Sequence, residues 1–361
     1  MKRLLILFTC LITSIAVWSQ DNKALANEKA KKAVEMMDTG SPDEAIAMLE
    51  EAKKLDPGTY VYDYEIGYAL FLKKDYAGAL EVYKKTVRYK DKNDQCYQML
   101  GNAWDYVGEP DKAIKAYDQG LKLFPTSGRL YLEKGTVYNI QKKFGEALLN
   151  YEKGILVDPS YPSNYYRATQ LLCNSDEEVW GMIYGEIFLN LEPNTARTGE
   201  ISKMLFDTYK SQVKFISDSS FSVSFSKQTV INLSVKDIKN LQSFKLPYGS
   251  SFYEPTLILS LVGEKTIDLA SLNRIRGRFV DNYMLRDNNI KYPNVLFDYQ
   301  KKIKDAGHFE AYNYWLLGGG DEKEFSEWQS ANEEKWDQFV DWYNSNRLVL
   351  NADTMFNRFK Y

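Results

Sequence analysis

The sequence is poor in the residues that do chemistry. Its 361 residues include one histidine, His308, and three cysteines, Cys10, Cys96 and Cys173, each far from the others. That excludes the common zinc patterns, which need Cys and His at short spacing, and it excludes a disulfide-built scaffold. Asp287-Asn288-Asn289 lacks the glycine and the distal glutamate of a calcium loop, and no glycine-rich phosphate loop opens a helix in the right context. No cofactor or metal is implied. Charge is nearly balanced, 46 basic against 49 acidic residues, so nothing draws nucleic acid or an anionic membrane. With 44% hydrophobic and 14% aromatic residues the chain is no disordered polymer and can bury a sizeable core.

Long apolar runs are also scarce. The stretch from Leu4 to Val17 follows the basic pair Lys2-Arg3 and precedes Val17-Trp18-Ser19, with tolerated residues at the cleavage positions. It reads as a secretory signal peptide over 1–19, cleaved before Gln20, and it is short for a membrane span. Thr9-Cys10 lies near the middle of the run rather than at its end, so no lipid anchor is expected. The expectation is a periplasmic or secreted protein whose mature chain carries no membrane span and 44 basic against 49 acidic residues.

What the chain does have is a period. Ala45, Ala79, Ala113 and Ala147 recur every 34 residues, each opening a short apolar run. Twelve positions before each stands a small residue, Ala33, Gly67, Gly101 and Gly135; twelve after comes a helix stop, Pro57, Asp91, Pro125 and Pro159. A fixed period of this length signals a solenoid of helix–turn–helix units. Small residues on both helices let two backbones approach closely, and proline ends the second helix of each unit.

The small–aromatic–Ala–Pro pattern resembles the tetratricopeptide repeat family in period and position over residues 24–159, and a fifth, worn copy runs from Tyr165-Tyr166-Arg167-Ala168 to Pro193, with Thr169 and Gly181 in the small-residue columns. Within repeat one, Lys23–Thr39 reads as a helix ending at Gly40, and Ser41-Pro42-Asp43-Glu44 as a capping box with proline at its first turn. Gly108 and Pro110 repeat the device, while Lys74 and Lys142 replace the glycine elsewhere. Cys96 and Cys173 fall two repeats apart and read as free thiols.

The expected architecture is an α-solenoid of about five tetratricopeptide helix pairs over 20–196, a linking and capping helix over 197–214, and a small α+β domain with a short antiparallel sheet over 215–361. In that last part Ser220–Ser226, Val230–Val235 and Thr256–Val262 read as strands. Leu269–Leu285, Val295–Ala306 and a final stretch capped by Asp321, with Glu324 as reciprocal partner, read as helices. This part resembles no family.

The resemblance implies a concave face lined by the first helix of each repeat. Repeat two contributes Tyr64, Tyr68 and Phe71; repeat three contributes Gln98, Asn102, Asp105 and Tyr106. Repeat four adds Arg129, Thr136 and Asn139, and repeat five Tyr166, Gln170 and Asn174. Tyrosine offers apolar area with a hydroxyl tip, and amides pair with an extended backbone, so the lining suits a protein or peptide partner in the cell envelope. The family's carboxylate clamp needs lysine, which these positions lack, so clamp-type binding is not expected. The leading reading is a non-catalytic scaffold or adaptor. A second is an envelope hydrolase using His308, with Glu310 to orient it, although residues two apart do not face each other on a helix. A third is glycan or peptidoglycan contact through the C-terminal tryptophans. Phe325, Trp328, Asn332, Trp336, Phe339 and Tyr343 step by three and four as one helix face, which reads as core, leaving Trp342 as the exposed anchor.

Overall fold

The computed structural model describes residues 2–217, 220–227, 247–285 and 287–361, with side chains from Gln20 onward. The strand expected at Val230–Val235 lies outside the described residues. The chain divides into two compact units, Met1–Lys143 and Phe144–Tyr361.

The first unit is a run of helices: α1 (Lys2–Asp38), α2 (Pro42–Leu55), α3 (Val61–Leu72), α4 (Tyr76–Thr86), α5 (Asp94–Tyr106), α6 (Pro110–Leu123) and α7 (Gly128–Ile140). Side-chain caps start several of them: Asp75 accepts from the Gly78 amide, Asn93 from Cys96 and Ser127 from Leu130. The capping box expected at Ser41 and Glu44 does not form. Ser41 sits at φ −111°, ψ 60°, its hydroxyl caps no amide, and Pro42 starts the helix by fixing its own φ. The turn inside each pair is the same motif four times. The residues at its left-handed position are Gly40 (φ 86°), Lys74 (φ 63°), Gly108 (φ 83°) and Lys142 (φ 60°). Each time two amides bond back to the preceding helix, as in Lys74 to the Phe71 carbonyl and Asp75 to the Leu70 carbonyl, both at 2.9 Å.

The alanine column is sealed: Ala45, Ala79 and Ala113 are 0% exposed. The glycine column works differently from the expected approach of two backbones. Gly67 and Gly101 each receive a tyrosine ring from the second helix of their own pair. A Cβ on Gly67 would lie 2.6 Å from Cε1 of Tyr83, and one on Gly101 would overlap the Tyr117 ring. Tyr83 and Tyr117 are themselves 34 apart.

The second unit begins with α8 (Phe144–Val157), continues with the pair α9 (Pro162–Leu172) and α10 (Glu178–Leu191), and adds α11 (Ala196–Gln212). The worn fifth repeat is tightly packed: Gly181 leaves room for the Cys173 sulfur, and α10 is buried on every side from Glu178 to Asn190. A helix apolar all round needs cover on all faces. α11, capped reciprocally by Thr195 and Thr198, matches the expected linking helix, except that Val213 opens a strand instead of closing the helix.

The sheet among the described residues is one hairpin, β1 (Val213–Ser217) against β2 (Ser220–Val223), with Val213 opposite Val223 and Phe215 opposite Phe221. The expected strand over Ser220–Ser226 therefore stops at Val223, and Ser226 makes only an isolated bridge to Glu177. The strand expected at Thr256–Val262 is instead α12 (Glu254–Ser260). A short apolar run fits either period; here it continues the helical turns of Gly249–Tyr253, and the Thr256 and Ser260 hydroxyls donate to carbonyls four residues back.

Helices α13 (Leu269–Leu285), α14 (Val295–Asp305) and α15 (Phe309–Leu317) come next. The expected final helix is broken at Asn332 into α16 (Glu322–Ala331) and α17 (Glu333–Ser345). Asp321 caps α16 as expected, but the Glu324 side chain does not reciprocate. Its carboxylate accepts from the Leu269 and Ala270 amides at 3.0 and 2.9 Å and caps α13.

A buried polar network locks these helices to α10. Arg276 on α13 donates to Glu186 at 2.7 Å and to Asn313 at 2.6 Å, and Gln300 and Tyr312 also donate to Glu186, at 2.7 and 2.8 Å. Arg358, near the C-terminus, pairs with the fully buried Glu152 on α8.

Candidate functional site

The residues expected to line the groove fall into two sets, one in each unit. In the first unit the leading helices of successive pairs touch, α3 against α5 and α5 against α7. Phe71 packs edge-on to Tyr106 at 4.8 Å, and Tyr76, at the start of α4, closes a triad at 4.9 Å from Phe71 and 4.6 Å from Tyr106. Tyr106 is nevertheless 58% exposed and Tyr68 41%. Tyr64 is half-buried between Tyr60 and Tyr83, and burial pushes its phenol up to about 12.

The polar positions are more committed. Gln98 donates to Glu133 at 2.7 Å and accepts from Arg129 at 3.2 Å, so one amide holds two charged groups of α7 in place. Asn102 accepts from the Tyr117 hydroxyl at 2.6 Å. Asp105 is half-buried, and burial raises its carboxyl above the usual range. Asn139 has a buried amide oxygen without a hydrogen-bond partner among the described residues.

In the second unit the three expected residues make internal hydrogen bonds, Asn174 to the Gln170 carbonyl at 2.8 Å. Tyr166 and Gln170 both donate to Glu200 on α11, at 2.7 and 2.8 Å, and the Arg197 guanidinium lies 4.9 Å from the Tyr166 ring centre. Neither offers a free face comparable to that of Tyr68 and Tyr106.

Glu65 is the groove residue that the repeat positions did not pick out. It stands beside Tyr64, is half-buried, and its carboxyl is raised by burial. The signal that could have found it is the column it shares with Glu133, two repeats on.

The catalytic alternative finds no matching geometry. Glu310 accepts from Trp328 Nε1 at 3.0 Å and from Lys335 at 3.1 Å, which turns it away from the role of orienting His308. The imidazole instead packs 5.4 Å from the Trp342 ring, and burial lowers its pKa. Burial pushes the Cys173 thiol up to about 12, far from a nucleophilic thiolate. Trp342, expected as an exposed anchor, is half-buried between His308 and Lys302. Trp328 is buried and stacked on Tyr314 at 4.4 Å. Among the described residues no helix is long and apolar enough to cross a membrane.

A family profile described as tetratricopeptide repeat matches residues 31–94 and 99–165. Small glutamine-rich tetratricopeptide repeat-containing protein 2 of Mycosarcoma maydis is 31% identical over 87 residues, 24% of this chain and 25% of that protein. The Hsp70-Hsp90 organizing protein of Triticum aestivum is 25% identical over 112 residues, 31% of this chain and 19% of that one. The chain thus spans a quarter or less of the length of these curated relatives. Among solved structures, PilF of Pseudomonas aeruginosa is 18% identical with a TM-score of 0.44, covering 52% of this chain and 86% of that one. MamA from Desulfovibrio magneticus RS-1 is 17% identical with a TM-score of 0.37, covering 46% and 94%. The profile matches fall on the helix pairs whose columns keep the 34-residue period, and this repeat region belongs to the tetratricopeptide repeat family.

Proposed function

We propose that the protein is a non-catalytic scaffold or adaptor of the cell envelope. It holds an extended segment of a protein partner against the leading helices α3, α5 and α7. The observation that carries this reading is the pair of exposed tyrosines, Tyr68 and Tyr106, on a face where the amides of Gln98 and Asn102 are already fixed by their neighbours. Rigid aromatic groups on a pre-set surface bind with little ordering cost. The signal-like segment over 1–19 supports an address outside the cytoplasm for a working chain that starts at Gln20.

A photoreactive amino acid in place of Tyr106 is expected to give discrete adducts in intact cells. The same group in place of Leu123, exposed on the second helix of its pair, is expected to give none. Equal labelling from both positions would remove the groove from the proposal. Amino-terminal sequencing of the purified protein checks the address: a first residue other than Gln20 contradicts the cleavage site.

A further inference from the structure

The groove face of the first unit holds carboxylates that the chain does not balance. Among the described residues, the Glu65 side chain on α3 and the Asp105 side chain on α5 accept no hydrogen bond and pair with no cation, although both are half-buried. Burial alone accounts for the rise of both carboxyls, with no nearby positive charge to oppose it. Glu133 accepts from Gln98, and the cation at these positions, Arg129, is also held on Gln98.

A hydroxyl in the same place lacks a partner. Tyr83 is 0% exposed, and its Oη makes no hydrogen bond among the described residues. Its ring lies across Gly67 of α3, and after burial itself the groups that oppose its ionisation are Tyr64, Glu65 and Tyr68 on α3 and Cys96 on α5. One repeat later the equivalent hydroxyl, Tyr117, donates to Asn102. The position equivalent to Asn102 in the earlier repeat is Tyr68, so the acceptor is gone. A buried hydroxyl and two half-buried carboxylates without partners are costly unless something supplies donors.

We propose that the segment held here is cationic: an extended peptide whose lysine or arginine side chains pair with Glu65 and Asp105. An acidic segment would meet like charge at both carboxylates. Tyr68 and Tyr106 add ring faces on which a cation rests favourably. The proposal rests on the groove reading and specifies its occupant.

The test uses the full mature chain and two labelled twelve-residue probe peptides with blocked ends, one alternating Lys with Thr, the other Glu with Thr. The lysine peptide is expected to bind at least about tenfold more tightly than the glutamate peptide, the scale of one charge-assisted hydrogen bond. Glu65→Gln with Asp105→Asn should weaken it about tenfold with no loss of thermal stability, because neither carboxylate has an internal partner to lose. The same charge change on second helices, Glu44→Gln with Asp111→Asn, should leave binding intact. No binding of the lysine peptide, equal binding of the two peptides, or equal loss from both double variants overturns the cationic occupant. The photocrosslink at position 106 reports separately whether the groove is used at all.

Discussion

Lys74 and Lys142 hold a left-handed backbone conformation that glycine holds at Gly40 and Gly108. A Cβ makes that conformation costly, so Lys74→Gly is expected to stabilise the chain by about 1 kcal/mol in denaturant unfolding. A loss would mean that the lysine side chain contributes more than the strain it causes. The opposite logic governs Gly101. Its missing Cβ is the space taken by the Tyr117 ring, so Gly101→Ala should cost about 2 kcal/mol through displacement of that ring. The raised carboxyls of Glu65 and Asp105 have a pH signature. A carboxyl whose pKa is higher folded than unfolded binds more protons in the folded state. Stability therefore falls as pH rises from the ordinary carboxylate range through the raised value. Glu65→Gln should flatten part of that fall in unfolding midpoints taken across the acid range, and an unchanged slope would show that Glu65 is not the group titrating.

At the scale of the element, the repeat helices were legible because three columns repeat in phase and the period itself carries the fold. The glycine column was visible, but its partner was not. Nothing local in Gly67 says that the ring of Tyr83, sixteen residues on, will lie on it. Past Val213 no period helps, and local patterns compete. Thr256–Val262 has the β-branched, apolar content of a strand, yet it extends the helical turns of Gly249–Tyr253, and the Thr256 and Ser260 hydroxyls bond back along a helix. Glu324 shows the same limit. Three residues after Asp321 it has capping-box spacing, but its carboxylate is drawn to the start of a helix more than fifty residues earlier in the chain. Two amides at a helix N-terminus lose their acceptor in Glu324→Ala, which should cost about 1–2 kcal/mol, measured by thermal unfolding. Glu324→Gln keeps one acceptor and should cost less; equal losses would point to packing rather than to the cap.

At the scale of the whole molecule, the last repeat and the C-terminal helices are not separable pieces. The boundary of compactness falls between Lys143 and Phe144, inside the repeated part, and α10 takes part of its cover from the helices C-terminal to it. The polar network at its centre explains why the dependence is strict. Glu186 receives Arg276, Gln300 and Tyr312 at a buried position, and removing one member strands the others. Arg276→Met keeps the volume but leaves a buried carboxylate without its cation, a change that should cost about 3–5 kcal/mol. Glu186→Gln with Arg276→Met removes both charges and should recover much of that loss. Recovery shows that the cost is electrostatic, whereas additive losses would show that the pair shapes the packing instead. A chain ending at Gln212 uncovers the face of α10 that packs on the C-terminal part, Trp180 and Ile183 among it. It is expected to aggregate or to lose protection in hydrogen exchange over 178–191. If α10 keeps native protection in that shortened chain, the C-terminal helices are an appendage, and the groove could be studied without them.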